Sequence, residues 1–505
     1  MLNRALSDDV AVRVTVEGLD GTNWRNIIEP DVVAGRTSDD LEAQKFYRLR
    51  LKGLWNPSSM PGLTVRLTHD NQLDKQPNPP DQISGPDFKR REVNEIQTYA
   101  YFETRNATTS LQASYDFGGG WVADGIVAYQ KSRNRSVPSP ATGLSALDVF
   151  ARSTEISFEP KISYSPGAGS RTSFTVGGFI FNRDRVEGGV PGSAFVYDAT
   201  DAVRTYSLFG DARIQVARDW DLLLGARAER ESQQRQLTGT LLGVIPAQLD
   251  FDETVTQFLP KIGVEYQISP VAAIGIVGYT GYQAPGGGVD FLGTGGSYVW
   301  KKETAKTAEI TWRSQWLNRT LTVNANLFYT KYNDYQIFGS DGGGGFIVKN
   351  AENVNSRGLE LETTWRPRQG LSAFAQLGLL RARVEKFDDG LNSYVNGGYL
   401  PNAPKLTARV GGSIEALPGL SFGGDVAYTA SAYGDVENIE AVFVPSYTTL
   451  NLNASYRIKS FTLTAFVNNV TDKFYLTSRL YPDGLAPRGY AGAPRTLGLS
   501  ARLGF

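Results

Sequence analysis

Hydrophobic and polar residues alternate with a period of two through most of this chain, and the pattern is sharpest at its end. In residues 494–505 (PRTLGLSARLGF), Leu497, Leu499, Ala501, Leu503 and Phe505 alternate with Gly498, Ser500, Arg502 and Gly504. One face of that strand is apolar and the other small or polar. Residues 448–458 repeat it with Leu450, Leu452, Ala454, Tyr456 and Ile458 on one side, and residues 321–330 with Leu321, Val323, Ala325, Leu327 and Tyr329. Near the start Val10, Val12, Val14 and Val16 share a face, and Glu360 and Glu362 oppose Leu359 and Leu361. Read this way, the chain predicts about 20 strands, each with one apolar face.

The connections between them alternate in length. Tight turns rich in Pro, Gly and Ser fall near residues 56–62, 118–120, 165–170, 217–218, 267–270, 315–319, 366–370, 415–419 and 459–460. Between them lie long connections: 19–41, 71–91, 132–150, 182–202, 231–253, 283–303, 332–345, 387–403 and 431–445, with another before the last strand. Short turns on one side and long loops on the other are the organisation of transmembrane β-barrels. Alternation also suits a soluble sandwich or a propeller. The loop asymmetry, the polar face of Asn, Thr, Glu and Arg, and the aromatic carboxy-terminus favour the barrel, and no propeller-like repeat is visible. The predicted fold is therefore all-β: a transmembrane antiparallel β-barrel with short periplasmic turns and long extracellular loops, rising first from the side on which it ends. At this size the lumen could be a channel or hold a plug.

Composition agrees. The chain has 505 residues, with 54 Gly, 24 Tyr, 25 Phe and 8 Trp, and no Cys, so it contains no thiol chemistry. Lys and Arg total 51 against 52 Asp and Glu, which argues against a nucleic-acid partner. The longest markedly apolar run, residues 271–279, is far short of the roughly 20 residues that a transmembrane helix needs. Residues 1–9 (MLNRALSDD) hold no signal-peptide pattern, so the numbering is expected to be that of a mature or truncated chain.

Several segments resemble the barrel of TonB-dependent outer-membrane receptors, the siderophore-receptor-like branch in particular. Residues 6–14 (LSDDVAVRV) are similar to the turn into the third barrel strand, and 259–266 (LPKIGVEY) with 281–286 (GYQAPG) to the mid-barrel hairpin, with Gln283 where an Arg is more usual. Residues 302–309 (KETAKTAE), 350–362 (NAENVNSRGLELE) and 467–475 (VNNVTDKFY) follow in order. The resemblance implies import of a ferric siderophore or similar chelate, with cobalamin or a glycan as other cargo. It also implies a TonB-ExbB-ExbD complex acting through an amino-terminal plug, barrel-assembly machinery as a partner, and outer-membrane lipid around the chain. On this reading residues 1–505 are a barrel without plug, about 20 strands of an expected ~22, whose unpaired edges are unfavourable in lipid. Such a chain is expected to close imperfectly or form no functional pore. The last strand, with Leu499, Leu503 and Phe505, is the expected barrel-insertion signal.

No catalytic constellation is evident, and no cofactor is expected. His69 is the sole histidine and has no metal-ligating partners in sequence. The run of glycines at 342–345 lacks the Lys and Ser/Thr of a phosphate loop and reads as a flexible loop. Tyr129, Tyr164, Trp220, Trp312, Trp316 and Trp365 read as interfacial girdle. Tyr298, Trp300, Tyr335, Tyr475, Arg488 and Tyr490 lie in long connections and are the candidate substrate contacts, with self-packing of the loops as the alternative. A passive porin and a soluble carbohydrate-binding β protein are the competing functions.

Overall fold

A computed structural model describes all residues except 1, 28–42, 79–81, 85–86, 94–99, 138–148, 168–170, 190–194, 242–243, 291–295, 341–345, 388–394, 437, 481–487 and 505. The glycines at 342–345 and Phe505 lie outside the described residues.

Among the described residues, 21 strands form one antiparallel sheet in which each pairs with its neighbours in sequence, from Leu2–Ala5 to Thr496–Leu503. The turn at 6–9 does lead into the valine strand, and residues 2–5 pair with 11–14 across it, adding one short strand ahead of it. Among the described residues the two outermost strands have no second partner in the sheet. With 21 strands in alternating directions, both edges run the same way. Pairing them directly would be parallel, whereas every other contact in the sheet is antiparallel.

Most of the strands turn apolar side chains outward. Phe258 and Ile262 are 67% and 61% exposed, and Leu208, Leu497 and Leu499 more so. A soluble protein does not expose a continuous apolar surface of this kind. Aromatic residues gather at the short-turn end. Trp121 lies 4.8 Å from Tyr164 and 5.4 Å from Phe174, and Trp220 4.7 Å from Tyr266. The indole N–H groups of Trp312 and Trp316 both donate to Ser314 Oγ at 2.8 Å.

The strands are longer than their apolar bands. Ile245–Ser269 has 25 residues, although about 9–11 suffice to cross a bilayer core. Several of the predicted long connections, 182–202 and 231–253 among them, are consequently mostly strand: Ser173–Gly189 continues as Phe195–Ala217, and Trp220–Leu241 as Ile245–Ser269. Their polar composition reflects strand surface standing above the apolar band, where both faces meet water or loops.

In that upper region the alternation reverses phase. Along Ile245–Ser269 the even positions Phe258, Ile262 and Val264 are exposed, while the odd positions Ala247, Leu249 and Phe251 are buried. The register with Trp220–Leu241 runs through this stretch without a bulge. The inner face has become apolar because loops cover it.

Candidate binding vestibule at the long-loop end

Three apolar clusters lie at the long-loop end of the sheet, and each carries part of the candidate site. The first lies under a ribbon formed by Gly286–Val289 and Ser297–Trp300. Ala199, Leu237, Ala247, Leu249, Phe251 and Val289 are its buried core. A salt-bridged clamp holds the ribbon down. The Asp201 carboxylate accepts from Arg183 Nη2 at 2.5 Å and from Arg235 Nε and Nη2 at 2.9 and 2.6 Å. Arg235 Nη1 then donates to the Gly287 carbonyl at 3.0 Å. Tyr298 and Trp300 sit on this ribbon with ring centroids 5.8 Å apart. Trp300 closes over Gly286, where a Cβ would come within 2.2 Å of the ring. Burial pushes the Tyr298 phenol up, so it stays protonated and can donate a hydrogen bond.

The second cluster contains Ile337, Ala351, Val354, Val384, Phe387, Val395 and Val436, with Tyr332, Tyr335 and Leu400 packed against it. In front of it is a cavity of about 740 Å³ whose lining includes Tyr332, Tyr335, Gln336, Leu400, Asp435 and Leu480. The Tyr332 and Tyr335 rings meet edge to face at 5.2 Å. Burial first, then the nearby Glu303 charge, pushes the Tyr335 phenol up. Buried Glu303 accepts from the Gln336 backbone N–H at 2.9 Å, and burial raises its own carboxyl.

Two amide side chains join these clusters. Gln336 Nε2 donates to the Ala284 carbonyl at 2.7 Å, and Asn350 bonds Lys301 in both directions, at 2.8 and 3.0 Å. The ribbon bearing Tyr298 and Trp300 is thereby tied to the strand bearing Tyr335.

The third cluster is a cap made of an early connection and late ones. Gln82–Ser84 adds to Arg488–Ala491, which pairs with Leu476–Leu480. Ile83, Val444, Leu476 and Ala491 are buried beneath. An early loop and the last one thus meet, so segments far apart in the chain are in contact at this height. Arg91 lies over Trp24 at 4.7 Å and Phe474 at 5.3 Å, and donates to the Gly492 carbonyl at 2.8 Å. Tyr475 stacks on Tyr447 at 4.3 Å, and its phenol is pushed up by burial first. Arg488 is opposite Leu480, which lines the cavity, and Tyr490 is opposite Ser478.

The six sequence candidates therefore fall on three clusters around one mouth rather than in one pocket. Tyr335 lines the cavity, Arg488 borders it through Leu480, Tyr298 and Trp300 occupy the adjoining ribbon, and Tyr475 is engaged in packing. Sequence reading missed Asp201, Arg235, Gln336, Asn350 and Arg91. They look like ordinary polar positions of alternating strands and loops until the topology shows what each one bonds.

The comparisons with known proteins fit this geometry. Residues 54–470, well over half of the chain, match the family described as TonB dependent receptor-like, beta-barrel. The chain belongs to that TonB-dependent receptor family. A probable TonB-dependent siderophore receptor PiuA from Acinetobacter baumannii is 37% identical over 86 residues, which are 17% of this chain and 11% of that receptor. The matched part is thus a small share of that relative's length. The ferric yersiniabactin uptake receptor FyuA from Yersinia pestis superposes with a TM-score of 0.84 at 19% identity, covering 100% of this chain and 77% of FyuA. The closed form of the ferric-catecholate import receptor Fiu from E. coli K12 gives 0.77 at 15% identity, covering 100% of this chain and 79% of Fiu. At such identities the structural likeness concerns the fold, and the fold is that of a TonB-dependent receptor barrel.

The remaining sequence candidates have plain positions. His69 Nδ1 is 2.9 Å from Thr109 Oγ1, and among the described residues no group of three or more His, Cys, Asp or Glu side chains gathers as a metal site. Leu499 and Leu503 point outward from the last strand, 78% and 54% exposed.

Proposed function

We propose that this chain is the barrel portion of a bacterial outer-membrane receptor that captures a scarce chelate, a ferric siderophore by preference. Uptake would be driven by TonB-ExbB-ExbD through a plug domain lying outside these 505 residues. The observation that carries the reading is the mouth itself. A cavity of about 740 Å³ is within the ~300–1,000 Å³ range of small-molecule sites, and half-buried phenols and amides lie around it. Protonated phenols, amides and a bordering arginine suit an oxygen-rich chelate, because they donate hydrogen bonds without offering a thiol or imidazole to strip its metal. The exposed Leu499 and Leu503 at the end of the sheet suit recognition by barrel-assembly machinery.

The test uses the full-length parent receptor with Trp300, Tyr335 and Arg488 changed together to Ala. Equilibrium binding of ferric siderophores and uptake of radioactive iron are measured in cells whose surface level of receptor is matched. Binding is expected to weaken by about tenfold or more, the effect of losing one to two hydrogen bonds and an aromatic contact. Unchanged uptake and binding would remove these residues from the site.

A further inference from the structure

Among the described residues, the lining of the cavity beside Tyr332 and Tyr335 holds a carboxylate and no cation, and we infer that the cavity selects a chelate carrying a protonated amine over one carrying several negative charges. The inference deepens the chelate reading above and rests on it. Asp435 is the one charged residue of the described lining. The long connections 387–403 and 431–445 supply Leu400, Asn402 and Asp435 to that lining. By composition they hold Asp388, Asp389, Asp435, Glu437 and Glu440 but no Lys, Arg or His.

The carboxylate is held in place by its own loop. The Val436 N–H donates to Asp435 Oδ1 at 2.5 Å, and Val436 is buried in the second cluster. Asn438 fastens the same segment. Its Nδ2 is shared among the carbonyls of Asp435 and Val436, at 3.1 Å each, and of Tyr399 at 2.9 Å, while its Oδ1 accepts from the Tyr399 N–H at 2.6 Å. A second carboxylate stands beside the two phenols. Glu303 is 8% exposed, and it accepts from the Gln336 N–H but has no ion-pair partner among the described residues. Burying a carboxylate without a cation is costly, and an arriving cation relieves that cost.

Cations on neighbouring segments turn to other groups. Arg383 Nη2 donates to the Tyr399 hydroxyl at 2.5 Å, and Lys405 Nζ is 4.2 Å from the centre of the same ring. Arg479, next to Leu480 in sequence, lies over the Phe88 ring at 5.5 Å. Arg488 is opposite Leu480 and outside the lining. A multiply anionic chelate in this cavity therefore meets carboxylates with no cation of the lining to offset them, and like charges brought together cost affinity. An alkylammonium instead meets a positioned carboxylate, to which it donates charge-assisted hydrogen bonds. The Tyr332 and Tyr335 rings attract the same group through their faces.

The experiment uses the full-length parent receptor, purified in neutral detergent, and three ferric probes that differ in charge. One is a linear tris-hydroxamate chelate ending in a primary amine, the second is the same chelate with that amine acetylated, and the third is a trianionic tris-catecholate chelate. Equilibrium binding is measured by calorimetry. Acetylation is expected to weaken binding about tenfold, and the trianion to bind about a hundredfold more weakly than the amine or worse. The preference for the amine over its acetylated form should collapse in Asp435→Asn, which keeps the acceptor for the Val436 N–H, and should shrink in Glu303→Gln. Heat-modified gel mobility shows that each variant is folded, and the second variant keeps the test open if the first is not. Equal or tighter binding of the acetylated or trianionic probe, or an unchanged preference in a folded variant, would overturn the inference and leave the chelate reading standing. Failure to bind any of the three would refute the chelate reading and this inference with it.

Discussion

Asp201 is the residue whose removal most directly tests how the vestibule is held together. Its carboxylate, 8% exposed, takes three N–H bonds from Arg183 and Arg235, and Arg235 carries the connection on to the ribbon at Gly287. Asp201→Asn keeps the shape and removes the charge. Breaking a buried pair by losing one partner costs about 3–5 kcal/mol. The two arginine side chains are 30% and 36% exposed, so water screens part of that, and about 1–3 kcal/mol is the expected loss. If the loss is confined to the clamp, the open population of the ribbon rises roughly 5- to 150-fold. Hydrogen exchange read on peptides covering 286–289 and 297–300 should accelerate by that factor, while peptides low in the sheet, such as 220–228, should not change. No acceleration at the ribbon, or an equal one everywhere, would refute the clamp. The pH dependence has a definite sign. Burial pulls the Asp201 carboxyl up, but the hydrogen bonds and charges of Arg183 and Arg235 outweigh it and hold it below its usual range. A depressed carboxyl contributes stability above its unfolded pKa, near 4, and loses it as pH falls through the folded value. The ribbon of the unaltered chain should stay closed at neutral pH and loosen only in strong acid.

Two further outcomes are expected. The Tyr399 phenol is lowered to about 8, first by its bond to Lys405 and then by that to Arg383, whose Nη2 is 2.5 Å from the hydroxyl. Ultraviolet titration of phenolate should show one early-ionising tyrosine that moves back towards 10 in Lys405→Met, and a titration with no phenol ionising before the ordinary range near 10 would contradict this contact. Gly492→Ala would drive a Cβ to within 1.9 Å of the Tyr475 ring. It should destabilise the cap by about 1–3 kcal/mol, seen as faster protease cleavage of the last long loop, with Tyr475→Ala restoring resistance in the double variant.

Sequence alone determined a good deal here. The period-two alternation, the regular short and long links and the family-like segments are local properties, and they predicted an antiparallel barrel of about the right number of strands. They could not say where lipid ends. Along Ile245–Ser269 the apolar face changes sides, from Phe258 and Ile262 outward to Leu249 and Phe251 inward. Alternation shows that two faces differ, and only the surroundings of each face decide which one is dry. For the same reason residues 231–253 looked like loop, since strand wetted on its outer side is as polar as a turn.

The vestibule depended still more on tertiary structure. The aromatic residues of the long connections were visible as candidates, but what joins or separates them comes from contacts between distant segments. Gln82–Ser84 adds to a strand at Arg488–Ala491, Arg91 reaches Gly492, and Asp201 secures a ribbon that begins at Gly286. A carboxylate or an amide in a strand has the same sequence appearance whether it faces water or clamps a loop. The closure of the mouth by residues far apart in the chain is what gives each of them its role.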